Sequence, residues 1–206
     1  FLKVYQIAEK NKCVSALSNA CINLGNVMRD LGDYPSAYKH FTDALKICEE
    51  IGIKESIAGI QVNLGNLALS QGRLEDAFHH HQKSYVAFTE MGNVNGIALS
   101  QINMAVASLE KGDAMRAVES AQSALATLGD SDNAMLRGVS LVVLGESHLL
   151  CGALEQAEET FESILRDYDK VSHQLAVAGS LRGLGRIALK RSNYVEALER
   201  LDSALE

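Results

Sequence analysis

The sequence predicts an all-α protein, a solenoid built from antiparallel pairs of helices. A doublet, leucine or methionine followed by glycine or alanine, recurs every 40 positions. The five doublets are Leu24-Gly25, Leu64-Gly65, Met104-Ala105, Leu144-Gly145 and Leu184-Gly185. Around each doublet the apolar residues return every three or four positions, as they do on one face of a helix, and nothing resembles an alternating strand. A fixed period of this size is typical of stacked helical units.

Three further positions repeat with the same period and divide each unit into two helices. They are a turn column of Gly32, Gly72, Gly112, Gly152 and Ser192, an alanine column of Ala37, Ala77, Ala117, Ala157 and Ala197, and a third column of Phe41, His81, Ala121, Phe161 and Leu201. The turn glycine is expected to end the first helix of each unit. Small residues at the doublet and at the alanine column allow the two helix backbones to approach closely. Pro35, the only proline, lies in the first turn of a second helix, where its missing N–H costs little.

Three positions after the third column comes a column of mostly small residues: Ala44, Ser84, Ala124, Ile164 and Ala204. This order of Leu-Gly, glycine turn, alanine, aromatic residue and alanine resembles the tetratricopeptide repeat along essentially the whole chain. The resemblance implies a right-handed superhelix of antiparallel helix pairs. The usual period of that family is about 34 residues, so both helices are expected to be longer here. Long repeats containing Leu-Gly-Asn, which occurs at 24–26 and 64–66, resemble those of the Pins-type polarity adaptors. Peptide-sensing bacterial regulators and regulators of signalling ATPases also use long repeats, and the choice among these subfamilies stays open.

We expect one array over residues 1–206. It comprises a partial repeat at 1–13 and repeats at about 14–53, 54–93, 94–133, 134–173 and 174–206. Both ends fall within a second helix, and no polar capping helix precedes or follows the repeats, although solenoids normally need one for solubility. The chain is therefore predicted to be a fragment of a longer protein, and its apolar ends could support self-association.

Composition and charge limit the partners that we expect. The net charge is −7 and the isoelectric point is near 5.4, so the basic surface needed to neutralise phosphates is missing and no nucleic-acid partner is expected. Wholly apolar runs are short, which predicts neither a secretory signal nor a membrane span. The four cysteines, Cys13, Cys21, Cys48 and Cys151, form no CxxC motif. They are interpreted as reduced core thiols of a cytoplasmic protein.

The candidate binding surface follows from the family resemblance, because first helices line the inner, concave wall of such arrays. Inward positions of the first three repeats are rich in asparagine: Asn19, Asn23, Asn26, Asn63, Asn66 and Asn103. Asparagine is about 0.5–0.7 kcal/mol less favourable than alanine inside a helix, so its repeated use requires another cause. A carboxamide can pair with both the N–H and the C=O of a peptide main chain. These six residues are predicted to bind a peptide; alternatively, they hydrogen-bond between helices or face water.

The later repeats carry different inward residues. The fourth repeat has Val139, Val143, Glu146 and Leu150, and the third contributes Glu110. In the fifth repeat, Arg182, Arg186 and Lys190 form a basic stripe at i, i+4 and i+8. This stripe is predicted to bind an acidic group at one end of the peptide. A merely solvated charged face is the alternative.

Catalytic chemistry is not expected. The three consecutive histidines at 79–81 cannot converge on a metal as an i, i+4 pair does, and they are interpreted as a solvated helix face. His148 and Cys151 lie three residues apart, with Glu146 nearby, and could form a thiolate and its base. Because His148 and Cys151 fall at packing columns of the repeat, a catalytic pair is not expected. Neither a phosphate-binding loop nor a GxSxG or HExxH motif is present.

The sequence therefore predicts a non-catalytic scaffold without metal or cofactor that binds a peptide segment of a partner protein. The alternative is a sensor, in which a peptide or small effector alters the superhelix and thereby controls a fused regulatory domain.

Overall fold

A computed structural model describes residues 14–129 and 133–205 of the chain. The described residues form ten helices and no strand, which confirms the all-α prediction. The helices are α1 (Val14–Asp30), α2 (Tyr34–Ile51), α3 (Lys54–Ser70), α4 (Leu74–Glu90), α5 (Val94–Lys111), α6 (Ala114–Leu128), α7 (Ala134–Cys151), α8 (Leu154–Asp167), α9 (Gln174–Lys190) and α10 (Tyr194–Ser203). Odd-numbered helices begin 40 residues apart, so each is the first helix of its repeat. The partial repeat predicted at 1–13 lies outside the described residues.

Contacts divide the chain into two compact units, which meet between Ser100 and Gln101 within α5. In unit 1, α1 packs on α2, α2 on α3, α3 on α4, and α1 also touches α3. In unit 2, α6 packs on α7, α7 on α8, α8 on α9, α9 on α10, and α7 also touches α9. First helices therefore lie beside each other within a unit, which is the arrangement that can form a continuous binding face.

Glycine turns separate the two helices of a repeat, as the sequence predicted. Gly32 follows α1 with a φ of +80°, a left-handed conformation that glycine adopts without steric penalty. The Asp33 side chain then accepts a hydrogen bond of 3.2 Å from the Ser36 backbone N–H, which caps the start of α2. The fifth repeat has Ser192 in place of the turn glycine, with a φ of +61°.

In the repeats with a doublet glycine, that glycine and the third-column residue form one packing contact. Phe41 and Phe161 are fully buried, and each ring lies against the helix backbone at the doublet glycine of its own repeat. A Cβ at Gly25 would lie 2.6 Å from Phe41 Cε1, so only glycine leaves room for the ring. The third repeat has alanine at both positions, Ala105 and Ala121, and both are buried. Where alanine replaces the ring in the third column, alanine also replaces glycine in the doublet.

By length and composition alone, α7 could cross a membrane, and it is the one such helix among the described residues. This is weak evidence, because the core helix of a soluble protein passes the same test. In unit 2, α7 packs against α6, α8 and α9, and 44% of its apolar window is buried within the fold. Its apolar character is accounted for by these contacts.

Candidate functional site

A groove in unit 2 is formed entirely by first helices. It encloses about 500 Å³ and is lined by residues of α5, α7 and α9: Leu109, Glu110, Val142, Val143, Glu146, Leu150, Arg182 and Arg186. We call it the first-helix groove. Second helices contribute no lining residue, as expected if each repeat turns its first helix toward the binding face.

Aliphatic side chains form the apolar part of the groove. Val143 is nearly buried, whereas Leu150 leaves 46% of its surface exposed. Val142 and Leu109 are half-buried beside them. This surface can receive an apolar side chain of a ligand, whose burial contributes about 1.5–3 kcal/mol.

Charged side chains occupy one wall of the groove. Glu146 on α7 accepts a hydrogen bond through Oε2 from Arg186 Nη1 on α9. Arg182 Nη2 lies 3.7 Å from Glu146 Oε1. The Glu146 side chain is only 16% exposed, while those of Arg182 and Arg186 are 61% and 49% exposed. The two guanidinium groups are thus held near one carboxylate and remain accessible from solvent.

The structure brings together some of the residues predicted in the later repeats. Arg182 and Arg186 both line the groove, whereas Lys190, the last residue of α9, is exposed and does not. The predicted inward positions Glu110, Val143, Glu146 and Leu150 also line it, while Val139 lines a separate cavity with Met135 and Leu175.

Two groove residues, Leu109 and Val142, were missed from the sequence. A repeat-based signal existed for Val142, which lies 40 residues before Arg182 and therefore in the same column.

The predicted asparagines present unbonded amides. Asn19 and Asn23 are exposed, and Asn26, Asn63, Asn66 and Asn103 are half-buried. Their side chains make no hydrogen bond to another described residue, so the interpretation as interhelical hydrogen bonds is wrong for the described part of the chain. Asn63 and Asn66 occupy in α3 the repeat positions that Val143 and Glu146 occupy in α7. Asn103 belongs to unit 2 and the other five to unit 1.

The interpretation of the histidine run as a solvated face is wrong for His81. Its side chain is fully buried, and neither ring nitrogen has a hydrogen-bond partner. The ring lies against α3, where a Cβ on Gly65 would be 2.4 Å from its Cε1. Burial, followed by the neighbouring His80, lowers the pKa of His81 to about 4. His81 therefore takes the place of the aromatic ring in its repeat, and it is neutral at physiological pH.

The other two histidines of the run are more accessible. His79 is exposed, and His80 is half-buried with its Nδ1 2.8 Å from Gln61 Oε1. Burial is the main cause that lowers the pKa of His80, followed by the charge of Lys83. Among the described residues, no group of three or more His, Cys, Asp or Glu side chains is placed to hold a metal ion.

The cysteines do not all behave as core thiols. Cys21 and Cys48 are buried as predicted, and burial, with the nearby Asp43, raises the pKa of Cys21 to about 11. Cys151 is exposed, so its assignment to the core is wrong: it is the last residue of α7, beside the turn at Gly152. Cys13 lies outside the described residues.

Comparison with known proteins supports the repeat assignment. Residues 15–90 match the family model described as tetratricopeptide repeat. No curated protein shows significant sequence similarity to the chain.

Solved structures share the fold. BtubC (BKLC) from P. vanneervenii is 18% identical with a TM-score of 0.79, over 98% of this chain and 84% of that one. The apo form of RapI is 16% identical with a TM-score of 0.77, over 98% of this chain and 57% of that one. NprR in complex with its cognate peptide NprX is 16% identical with a TM-score of 0.71, over 97% of this chain and 57% of that one. The family match supports tetratricopeptide repeats over residues 15–90, and the solved structures show that their fold extends over nearly the whole chain.

Proposed function

We propose that the chain is a non-catalytic scaffold that binds a peptide segment of a partner protein on the faces of its first helices. The observation that carries this proposal is the first-helix groove, in which an aliphatic surface lies beside two accessible guanidinium groups. Such a groove can bury an apolar side chain of a peptide and pair with an acidic group next to it.

The asparagines supply a second type of contact. A carboxamide that has no partner among the described residues is available to bond the N–H and C=O groups of an extended main chain. Such a chain advances about 3.3 Å per residue, and neighbouring helices pack about 8–10 Å apart, so equivalent amides would meet roughly every third ligand residue. In unit 1, backbone contacts at Asn23, Asn63 and Asn66, with Asn19 and Asn26 beside them, would bind a main chain with little regard to its sequence. In unit 2, Asn103 would supply the same type of contact, and selectivity would depend on the groove.

The structural neighbours favour peptides as the ligand class. NprR was solved with its cognate peptide, and a Rap protein was solved with competence and sporulation factor. Repeats of the tetratricopeptide type typically mediate protein interactions rather than catalysis. We therefore propose a cytoplasmic adaptor in a signalling context, whose long repeats are of the Pins type and which binds neither nucleic acid nor membrane.

A peptide sensor is the second candidate function. RapI and NprR give it specific support, because their folds match nearly the whole of this chain while the match covers only 57% of theirs. In a sensor, ligand binding would change the conformation of the array and so control a fused domain. In an adaptor, binding would leave the arrangement of the helices unchanged. Hydrogen exchange measured with and without ligand distinguishes the sensor from the adaptor.

Selection from a phage-displayed library of random linear peptides tests the proposal. The groove variant is Leu150→Asp, and the matched control is Leu189→Asp, because both leucines are 46% exposed but Leu189 lies outside the groove. We expect peptides enriched on the wild-type protein to lose at least about tenfold in affinity for Leu150→Asp and to retain it for Leu189→Asp. Equal binding to both variants would exclude the groove as the binding site.

The amide contacts are tested with the same peptides. Replacing Asn63 and Asn103 together by alanine should weaken binding while thermal stability stays unchanged or rises, because alanine is the better helix former. Unaltered affinity in a direct titration would contradict the role of the amides.

A further inference from the structure

Glu146 occupies the position at which an acidic ligand would meet the groove arginines. Its Oε2 accepts from Arg186 Nη1, and its Oε1 has no hydrogen-bond partner although Arg182 Nη2 is 3.7 Å away. The residue comes from α7, whereas both arginines come from α9. One carboxylate of the protein itself thus stands where a carboxylate of a partner is expected.

The donors of the two arginines exceed what Glu146 can use. Each guanidinium group carries five N–H donors, and Glu146 makes one hydrogen bond, to Arg186. The arginine side chains are 61% and 49% exposed, so their remaining donors are accessible from the groove. Only the arginine side of this ion pair is exposed, because the Glu146 side chain is 16% exposed. Exchange therefore requires that a partner carboxylate first bind the unused donors and then take over the donor that Glu146 holds, since an unpaired, mostly buried carboxylate is costly.

The part of the groove formed by α5 carries a negative charge. Glu110 on α5 is exposed and lines the same cavity, and no guanidinium or ammonium group of α5 lines it. A ligand carboxylate is repelled by Glu110 and attracted by Arg182 and Arg186. The acidic group of a bound peptide therefore lies toward α9, with its apolar side chain on the aliphatic residues between.

We propose that Glu146 is an internal competitor for Arg182 and Arg186, which a partner carboxylate displaces when the peptide binds. This inference rests on the proposed function and specifies the ligand: an apolar side chain followed by a carboxylate, from either an acidic side chain or a chain terminus. Glu146 then acts as a specificity-determining residue. A neutral peptide gains nothing from the arginines, and a weakly placed carboxylate cannot replace the internal one.

The test uses Glu146→Gln, which keeps the shape of the side chain and removes its charge. The control is Glu158→Gln, because Glu158 accepts two hydrogen bonds at 2.6 and 2.9 Å from Arg191, the residue that follows α9, and lies outside the groove. Three N-acetylated probes share a leucine-alanine core. One ends in an amidated aspartate, one in an amidated asparagine, and one in the free carboxylate of the alanine.

NMR titration of the full chain with these probes gives the result. We expect Glu146→Gln to bind the two carboxylate probes about two- to fivefold more tightly than the wild type and the asparagine probe equally, with no change for Glu158→Gln. The carboxylate probe that binds more tightly shows whether the acidic group of the partner is a side chain or a chain terminus. Without ligand, the Arg186 Nε–Hε signal should exchange with solvent faster in Glu146→Gln, because the guanidinium group is released.

The outcomes separate this inference from the proposed function. If the carboxylate probes bind wild type and Glu146→Gln equally, internal competition is excluded while peptide binding stands. Weaker binding to Glu146→Gln would make Glu146 a ligand contact and would also overturn the inference. If no probe binds and the peptide library shows no dependence on Leu150, both proposals fail.

Discussion

The second and fourth repeats build the same buried contact from chemically different side chains. In the second, the His81 ring lies against Gly65; in the fourth, the Phe161 ring lies against Gly145. Both rings are fully buried, and in both repeats a Cβ on the glycine would lie 2.4 Å from the ring. The contact between ring and glycine is therefore the same in the two repeats, and only the polarity of the ring differs.

The difference separates what packing requires from what solvation requires. The third column needs a flat ring that fits against a bare helix backbone, and an imidazole satisfies that demand as a phenyl group does. Only the imidazole has nitrogens that lose their hydrogen bonds to water, and neither nitrogen of His81 recovers one. The buried contact of the second repeat thus contains a pH-dependent weakness that the same contact in the fourth repeat lacks.

Truncation of the two rings should give the largest difference. Phe161→Ala removes a fully buried ring and leaves a cavity, so we expect the free energy of unfolding to fall by about 3–5 kcal/mol. His81→Ala should cost less, because it also removes two buried nitrogens without partners. Denaturant unfolding near pH 8 measures both variants. Equal losses would show that the buried nitrogens carry no penalty.

Acid should destabilise the second repeat through His81. The pKa of this imidazole falls from 6.5 to about 4 on folding, so the unfolded chain takes up the proton first as the pH falls. The folded state is therefore unaffected above about pH 7 and loses stability between about pH 6.5 and 4, by about 2–3 kcal/mol at the acid end. His81→Phe should remove this loss and raise stability.

The acid effect is isolated by the difference between wild type and His81→Phe, because other titrating groups are common to both proteins. Unfolding measured near pH 7.5 and near pH 4.5 should show this difference growing as the pH falls. A difference that is the same at both pH values would refute the assignment. Phe161→His should introduce a similar acid sensitivity into the fourth repeat.

Filling the glycine positions should produce the smallest of these effects and should treat the two repeats alike. Gly65→Ala and Gly145→Ala each force a methyl group into a ring, and we expect losses of about 1–3 kcal/mol in both. Gly59→Ala, in α3, is the control because a Cβ there meets nothing within 4 Å. It should raise stability by about 0.5–1 kcal/mol. Thermal or denaturant unfolding measures the stability of all three variants. A stabilising effect of Gly145→Ala would disprove the close contact between Gly145 and the Phe161 ring.

The periodic features of the molecule were predictable because they depend on local spacing. Helix pairs and glycine turns follow from the 40-residue period. The choice of the face that carries Glu146 and Arg186 came from the family resemblance, and both residues line the groove. Predictions based on residue type were less successful. His81 looked solvated because it lies in a polar run, although its repeat column already contained aromatic and aliphatic residues.

The order of helices and their pairing within repeats were determined by sequence alone, since each repeats a pattern that neighbouring residues enforce. Tertiary structure alone decided that Glu146 pairs with Arg186, that His81 loses all hydrogen bonds and that Cys151 stays outside the core. Each of these outcomes depends on which side chain of another helix lies opposite, and that is set by packing between elements rather than by spacing along one of them.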